Sequence, residues 1–326
     1  MRTAGRSSCP PIIPPQPKRR ISEHDRSTHA GKDLRSNPRE PLSLYTPIAV
    51  TERRNIVRLR IGYELQYHFP QPTPVIMMLS IHYSRVSDLE RPDHILISPS
   101  VPISGYRDGF GNWCSRILAP AGAMRISTDT VINDTGLSEQ QTRDAVQVPV
   151  ELLPEGSLVF LIASRYCDSD KLLDLAWSHF GGTIPGWARV QAICDFVHAR
   201  IAFAYEHARP SRTASEAYEE MRGVCRDYAH LAIAFCRALN IPARYCTGYL
   251  GDVGTPLPYP PGDFAAWFEA YLGGRWHTFD PRNNVPRIGR VLLARGRDAA
   301  DVAITTTFGP NTLNSFRVWT DEIATT

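Results

Sequence analysis

RGVCRDYAHLAIAFCRALNIPARYCTGYL, residues 222–250, is followed after a proline-rich loop by DFAAWFEAYLGGRWHTFDPRNN, residues 263–284. From Cys225 onward, apolar residues recur at spacings of three and four, which predicts a helix. The helix is expected to end at Asn240, because Pro242 disfavours the helical conformation just before it. Cys225 would then lie in the first helical turn, where free N–H groups and the positive end of the helix dipole favour a thiolate.

Three strands are predicted after this helix, in residues 243–250, 264–272 and 275–280. Gly273 and Gly274 separate the last two strands and are typical of a two-residue hairpin turn. The hairpin ends at Asp280. A cysteine at a helix start, packed against an antiparallel hairpin that ends in an aspartate, is the layout of a papain-like thiol enzyme.

These residues resemble the transglutaminase-like superfamily, specifically its bacterial branch with an N-terminal β domain. The resemblance extends from about residue 57 to the C-terminus. It implies a cysteine nucleophile that opens a helix, a histidine base on a strand, and an aspartate on the next strand that orients the base. Cys225 matches the nucleophile and Asp280 matches the orienter, but Ala265 occupies the position of the family histidine.

The resemblance implies acyl transfer on a peptide or protein amide. The Cys225 thiolate would attack the carbonyl and form a thioester, and water or an amine would release it. Backbone N–H groups at the helix start would hold the oxyanion. No metal or organic cofactor is implied. Because loss of a proton-transferring base slows catalysis about 100- to 10,000-fold, a weak or inactive enzyme is expected.

Two nearby histidines are poor substitutes for the missing base. His277 is predicted on the opposite face of its strand from Asp280, because strand side chains alternate. His230 follows Cys225 by five residues, which places it about 140° around the helix. Arg226 and Asp227 also resemble the family signature, and both are expected at exposed helix positions.

Three interpretations stay open. The first is an active thiol acyl-transferase or amidohydrolase that has recruited another base, such as His277 from a distorted strand. The second is a catalytically inactive transglutaminase-like binding module that keeps the cleft. The third is an active parent altered only at Ala265, since the neighbouring motif residues are intact.

The other cysteines compete with Cys225 for the role of nucleophile. Cys236 and Cys246 are expected in the core, within a helix and a strand. Cys194 and His198 are four residues apart and could form a dyad or hold a metal, but with no second ligand pair in sequence a core cysteine is favoured. The remaining thiols are Cys9, Cys114 and Cys167. Seven cysteines without an export signal predict reduced thiols and a cytoplasmic protein.

Composition argues against several classes of partner. The chain is 43% hydrophobic and 21% charged, as in ordinary soluble globular proteins. Residues 1–54 hold eleven basic and five acidic residues, a charge of +6. Since the whole chain carries +3, the remainder carries −3, so nucleic-acid binding by the folded body is not expected. No run of about 18 apolar residues is present, so no membrane span is expected.

The chain is predicted to divide into three parts within an α+β fold. Residues 1–54 form a disordered, basic, proline-rich extension, and residues 55–150 form an N-terminal β-sandwich-like domain that begins with an alternating strand at Val57. Residues 151–326 form the papain-like (transglutaminase-like) domain. Its last residues, 285–326, are expected to complete the sheet around the site.

Overall fold

The computed structural model describes residues 56–255 and 262–323. All of them belong to one compact unit, Glu52–Thr326. The extension predicted for residues 1–54 lies outside the described residues. The fold mixes sheets and helices, which confirms the predicted α+β class.

The first part of the described chain is almost entirely β structure. Its strands are β1 (Val57–Phe69), β2 (Thr73–Met77), β3 (Leu96–Ser98), β4 (Ser104–Arg107), β5 (Trp113–Ala119) and β6 (Gly122–Asp134). Strand β1 alternates between buried and exposed side chains over most of its length, as predicted from its sequence. A 3₁₀ turn spans Tyr83–Asp88.

The helices lie in the second part of the described chain. They are α1 (Glu155–Leu158), α2 (Leu173–Phe180), α3 (Trp187–Arg200), α4 (Ala214–Glu220) and α5 (Cys225–Ala238). Short 3₁₀ turns span Val150–Leu152, Ser169–Leu172 and Tyr205–His207. Among the described residues, no helix has the length and apolar character required to cross a bilayer.

The later strands complete three sheets and one short parallel pair. They are β7 (Ala202–Phe203), β8 (Arg222–Gly223), β9 (Ala243–Leu250), β10 (Ala265–Leu272), β11 (Arg275–Phe279), β12 (Arg290–Gly296), β13 (Thr305–Thr307) and β14 (Thr312–Ile323). The four-stranded sheets have the orders β14-β1-β6-β3, β13-β2-β5-β4 and β11-β10-β9-β12, and β7 pairs with β8.

Helix α5 is the centre of the hydrophobic core in the second part of the described chain. From Asp227 to Ala238 every residue of the helix is buried, because α2, α3 and α4 contact it as well as strands β9 and β10. The inward side chains of β10, such as Phe268 and Leu272, share this core. A separate core fills the space between the two sheets that contain β1 and β2.

The C-terminal strands differ from the expectation for residues 285–326. Only β12 joins the sheet around the site, where it pairs with β9. Strand β14 instead pairs antiparallel with β1, and β13 pairs with β2. The end of the chain therefore lies in the sheets of the N-terminal β region, and the boundary near residue 150 stays a prediction.

Candidate functional site

Cys225 is the first residue of α5, as the sequence predicts. The turn that leads into the helix is tight: a Cβ atom at Gly223 would lie 2.6 Å from the side chain of Asp227. That carboxylate caps the helix, since the Val224 N–H donates to its Oδ2 at 2.8 Å. Gly223 and Asp227 together fix the backbone that carries the thiol.

Asp227 is buried, so the expectation that it is exposed was wrong. Its side chain is 1% exposed, and its Oδ2 lies 2.9 Å from the Arg212 guanidinium, which is 3% exposed. Burial raises the pKa of Asp227, against the opposing effects of the Val224 N–H and of Arg226 and Arg212. Its Oδ1 has no hydrogen-bond partner among the described residues. Arg212 was missed by the sequence reasoning because it precedes the motif and is brought in only by the fold.

Cys225 and Ala265 open onto one cavity of about 160 Å³. Phe203 and Tyr205 form an aromatic part of its wall. No histidine belongs to the described lining, whose remaining members are Ala208, Val224, Leu250, Asp252, Gly262, Asp263, Phe264, Arg282 and Arg287. The two residues that match the positions of the family cysteine and histidine therefore face the same space.

The Cys225 thiol is not activated by its position at the helix start. Burial, and after it the nearby Asp263 carboxylate, raise its pKa to about 11. The Arg282 guanidinium and the backbone N–H of Ala266 lower the pKa but do not compensate for burial. The expected thiolate is thus disfavoured, because burial penalises the charged form of the thiol.

Asp280 lies just beyond the end of β11, and its carboxylate is fully hydrogen-bonded. Oδ1 accepts the backbone N–H groups of Arg282 and Asn283, each at 3.1 Å. Oδ2 accepts from Asn283 Nδ2 at 2.7 Å and from Arg290 Nη2 at 2.9 Å. Burial opposes ionisation, but Arg290 and Asn283 outweigh it and hold the pKa of Asp280 below its usual range.

The hairpin register relates Asp280 to Ala265. Phe268 pairs with Phe279, so one further step sets Asp280 opposite Trp267. Ala265 precedes Trp267 by two residues and therefore lies on the same face of β10. Arg290, the partner of Asp280, lies 4.6 Å from the Trp267 ring. Asp280 and Ala265 thus share one end of the hairpin.

The two alternative histidines lie away from the cavity. His277 is buried, packs edge-on against Trp187, and lies 3.2 Å through Nε2 from the Leu272 carbonyl oxygen. His230 is also buried, and its Nε2 accepts the Ala299 N–H at 3.2 Å. Burial lowers the pKa of both imidazoles.

The remaining described thiols are buried and free, at positions 114, 167, 194, 236 and 246. Cys225 alone among the described cysteines is partly exposed. Cys194 is in the core, whereas His198 is exposed and lies 3.0 Å through Nδ1 from the Pro281 carbonyl oxygen. Within residues 56–255 and 262–323, no group of three His, Cys, Asp or Glu side chains could hold a metal ion.

Comparison with known proteins decides the family. The family model of the transglutaminase-like superfamily matches residues 180–281, which include Cys225, Ala265 and Asp280. A solved structure from Cytophaga hutchinsonii, described as a putative cysteine protease, is 31% identical and superposes with a TM-score of 0.73. The match covers 83% of this chain and 92% of that one. This chain belongs to the transglutaminase-like superfamily.

Two mycobacterial proteins are also similar to this transglutaminase-like chain. ML0607 of Mycobacterium leprae is 38% identical over 94 residues, which cover 27% of this chain and 32% of that protein. Rv2569c of Mycobacterium tuberculosis is 28% identical over 227 residues, which cover 60% of this chain and 68% of that protein.

Proposed function

We propose that this transglutaminase-like protein carries out cysteine-dependent acyl transfer on peptide or protein amides, at a rate limited by the alanine at position 265. One observation carries the proposal: Cys225, at the start of α5, shares its cavity with Ala265, and no histidine of the described residues lines that space. The nucleophile position is retained, and the base position is not.

The proposed reaction forms and breaks a thioester. The Cys225 sulfur adds to the amide carbonyl carbon, the C–N bond breaks, and the amine leaves with a proton from solvent. Water or a second amine then attacks the thioester and releases the thiol. The N–H groups of the first turn of α5 are the candidate donors to the oxyanion.

The pKa of the thiol explains why the reaction would be slow. With a pKa of about 11, roughly one Cys225 in ten thousand is a thiolate at neutral pH. A histidine at position 265 would take up the thiol proton and later deliver it to the leaving amine. Solvent must do both in this chain.

Replacing Ala265 with His tests the proposal directly. We expect the rate of amide cleavage from a carboxamide peptide, followed as released ammonia or amine, to rise about 100- to 10,000-fold. Ala265→Asn is the matched control, because it adds a polar side chain that is a much weaker base. Adding Cys225→Ala to the histidine variant should abolish the gain. Equal rates for the histidine and asparagine variants would refute the proposal.

A second candidate function is a catalytically inactive binding module. It is supported by the Asp280 carboxylate, whose two oxygens already accept four hydrogen bonds from the protein. Mass spectrometry of the wild-type chain after long incubation with a carboxamide peptide separates the two candidates. An acyl adduct on Cys225 supports catalysis, whereas peptide binding that Cys225→Ala leaves unchanged, with no adduct, supports the binding module.

We further propose that the protein works in the cytoplasm and has neither nucleic acid nor a membrane as its partner. The free state of all six described cysteines supports this location, because reduced thiols are typical of that compartment. Cell fractionation followed by thiol labelling is the test, and recovery of disulfide-linked protein outside the cytoplasm would contradict it.

A further inference from the structure

Two side chains of opposite charge face the Cys225 cavity and do not form an ion pair with each other. Asp263 and Arg282 both line it and are both half-buried. In the part of the chain that the structure describes, they form no ion pair within 4.0 Å. Each charge is therefore available to pair with an opposite charge on a ligand.

Arg282 is positioned but not used by the protein. Its guanidinium lies over the Phe203 ring, 4.2 Å from the ring centre, and makes no hydrogen bond to another described residue. Its backbone N–H is held by Asp280 at 3.1 Å. Stacking on an aromatic ring leaves the edge of the guanidinium free, and that edge matches a carboxylate in two parallel hydrogen bonds.

Asp263 offers the opposite charge two residues before Ala265. Its Oδ1 accepts the N–H of the adjacent Phe264 at 2.7 Å. Its Oδ2 has no hydrogen-bond donor among the described residues. Burial raises the pKa of Asp263, and the Phe264 N–H and the Arg282 charge offset this only in part.

The other two charged residues of the cavity wall balance each other. Arg287 Nη2 lies 3.1 Å from Asp252 Oδ1, and Arg287 also donates to the Gly251 carbonyl and to Asn283. One positive and one negative group therefore remain for a ligand. A ligand with a single charge would match only one of them and leave the other without a counterion.

We propose that this cavity binds a small α-amino-acid head group, with its carboxylate on Arg282 and its ammonium on Asp263, beside a carboxamide that reaches Cys225. The volume of about 160 Å³ is below the roughly 300–1,000 Å³ of sites for drug-sized molecules, so the bound part is small. This substrate class rests on the proposed amide chemistry and narrows it to amides that carry a free amino-acid end.

Calorimetry tests the proposal by measuring the binding of L-glutamine and two of its derivatives to the full chain. L-Glutamine carries both charges, N-acetyl-L-glutamine lacks the ammonium, and L-glutaminamide lacks the α-carboxylate. We expect L-glutamine to bind at least tenfold more tightly than either derivative. Equal affinity for all three, or no binding of L-glutamine, would overturn the proposal.

Two variants test which charged group of the ligand binds to Arg282 and which binds to Asp263. Arg282→Met should remove the preference over L-glutaminamide only, and Asp263→Asn should remove the preference over N-acetyl-L-glutamine only. Arg317→Met and Asp174→Asn are matched controls at exposed positions outside the cavity and should retain both preferences. If a cavity variant fails to fold, as judged by circular dichroism, the three-ligand comparison on the wild-type chain still decides.

This test is independent of catalysis, because calorimetry detects binding with no bond broken. Selective binding of L-glutamine together with an inactive Ala265→His variant would support the cavity and refute the proposed reaction. A gain of activity in that variant, with no selectivity among the three ligands, would do the reverse.

Discussion

Asp227 at the start of α5 and Asp280 at the end of β11 are both buried carboxylates paired with a buried arginine, yet their pKa values move in opposite directions. Asp280 accepts four hydrogen bonds, whereas Asp227 has one oxygen without a described partner. Burial dominates at Asp227, and hydrogen bonds with the Arg290 charge dominate at Asp280. The number of donors, rather than the presence of an arginine, decides the direction in which the pKa of these two buried carboxylates moves.

The comparison also distinguishes the hydrogen bonds that hold the backbone of the site from the reactivity of its thiol. The turn that holds Asp280 is well satisfied even though Ala265 leaves it no imidazole to orient. The helix start that carries Cys225 is well capped, but the thiol remains protonated. The backbone on both sides of the site is therefore held by hydrogen bonds, and under the proposed function it is proton transfer that limits the rate.

Removing the cation at Asp280 should give the largest effect. Arg290→Met leaves a buried carboxylate without its charged partner and should lower the free energy of unfolding by about 3–5 kcal/mol, since the two side chains are 7% and 2% exposed. Urea unfolding is the measurement. Arg60→Met is the matched control, because the Arg60–Asp129 pair is 52% and 44% exposed and should contribute less than about 1 kcal/mol. Equal losses in the two variants would show that burial of the pair is not what matters.

Removing the carboxylate at the helix start should have a somewhat smaller effect. Asp227→Ala takes away the acceptor of the Val224 N–H and one partner of Arg212, and should destabilise the protein by about 2–3 kcal/mol. The loss is limited because Arg212 retains Glu220 at 3.1 Å.

Thr213→Ala supplies the comparison for this cap. Thr213 caps α4 without a buried ion pair, so its loss should be about 1 kcal/mol by the same urea titration. A smaller loss for Asp227→Ala than for Thr213→Ala would contradict the role given to the buried pair.

The opposite pKa shifts predict opposite pH dependences. The lowered pKa of Asp280 gives stability that is present above the unfolded value, about 4, and is lost as pH falls through the folded value. The raised pKa of Asp227 gives stability that is present at low pH and is lost as pH rises from about 4 through the folded value.

The slope of the unfolding free energy against pH, measured between pH 3 and 6, should therefore change in opposite senses when each of the two aspartates is replaced. Asp280→Asn should make stability rise less steeply with pH than in the wild type, and Asp227→Asn should make it rise more steeply. Each change should be about 1 kcal/mol or less across this range. A change of slope in the same sense in both variants would contradict the opposite pKa shifts of Asp280 and Asp227.

The smallest expected effect concerns the thiol itself. Asp263→Asn should lower the pKa of Cys225 and speed its alkylation by iodoacetamide at pH 8 about threefold, and Arg282→Met should slow it by a similar factor. Peptide mapping identifies the labelled cysteine. Asp174→Asn, at an exposed position of α2, should leave the rate unchanged, and equal rates in all variants would show that neither charge acts on the sulfur.

Local sequence patterns were sufficient for much of the architecture. The recurrence of apolar residues placed the start of α5 at Cys225, and the glycine pair placed the turn between β10 and β11. Strand alternation put His277 on the buried side opposite Ala270, away from the cavity. These features depend on backbone periodicity and turn chemistry within a few residues, which a single sequence records directly.

Only the tertiary structure decided the electrostatics of the site and the fate of the C-terminus. Arg212, Asp263, Arg282 and Arg290 have no spacing that marks them, and each acquires its role from residues that lie near it in space. Strand β14 joins β1 across more than two hundred residues of chain, a pairing that local pattern does not specify. Burial, which sets the pKa of Cys225 and Asp227, is a property of the assembled core, so the sequence determined the elements while their packing determined the chemistry.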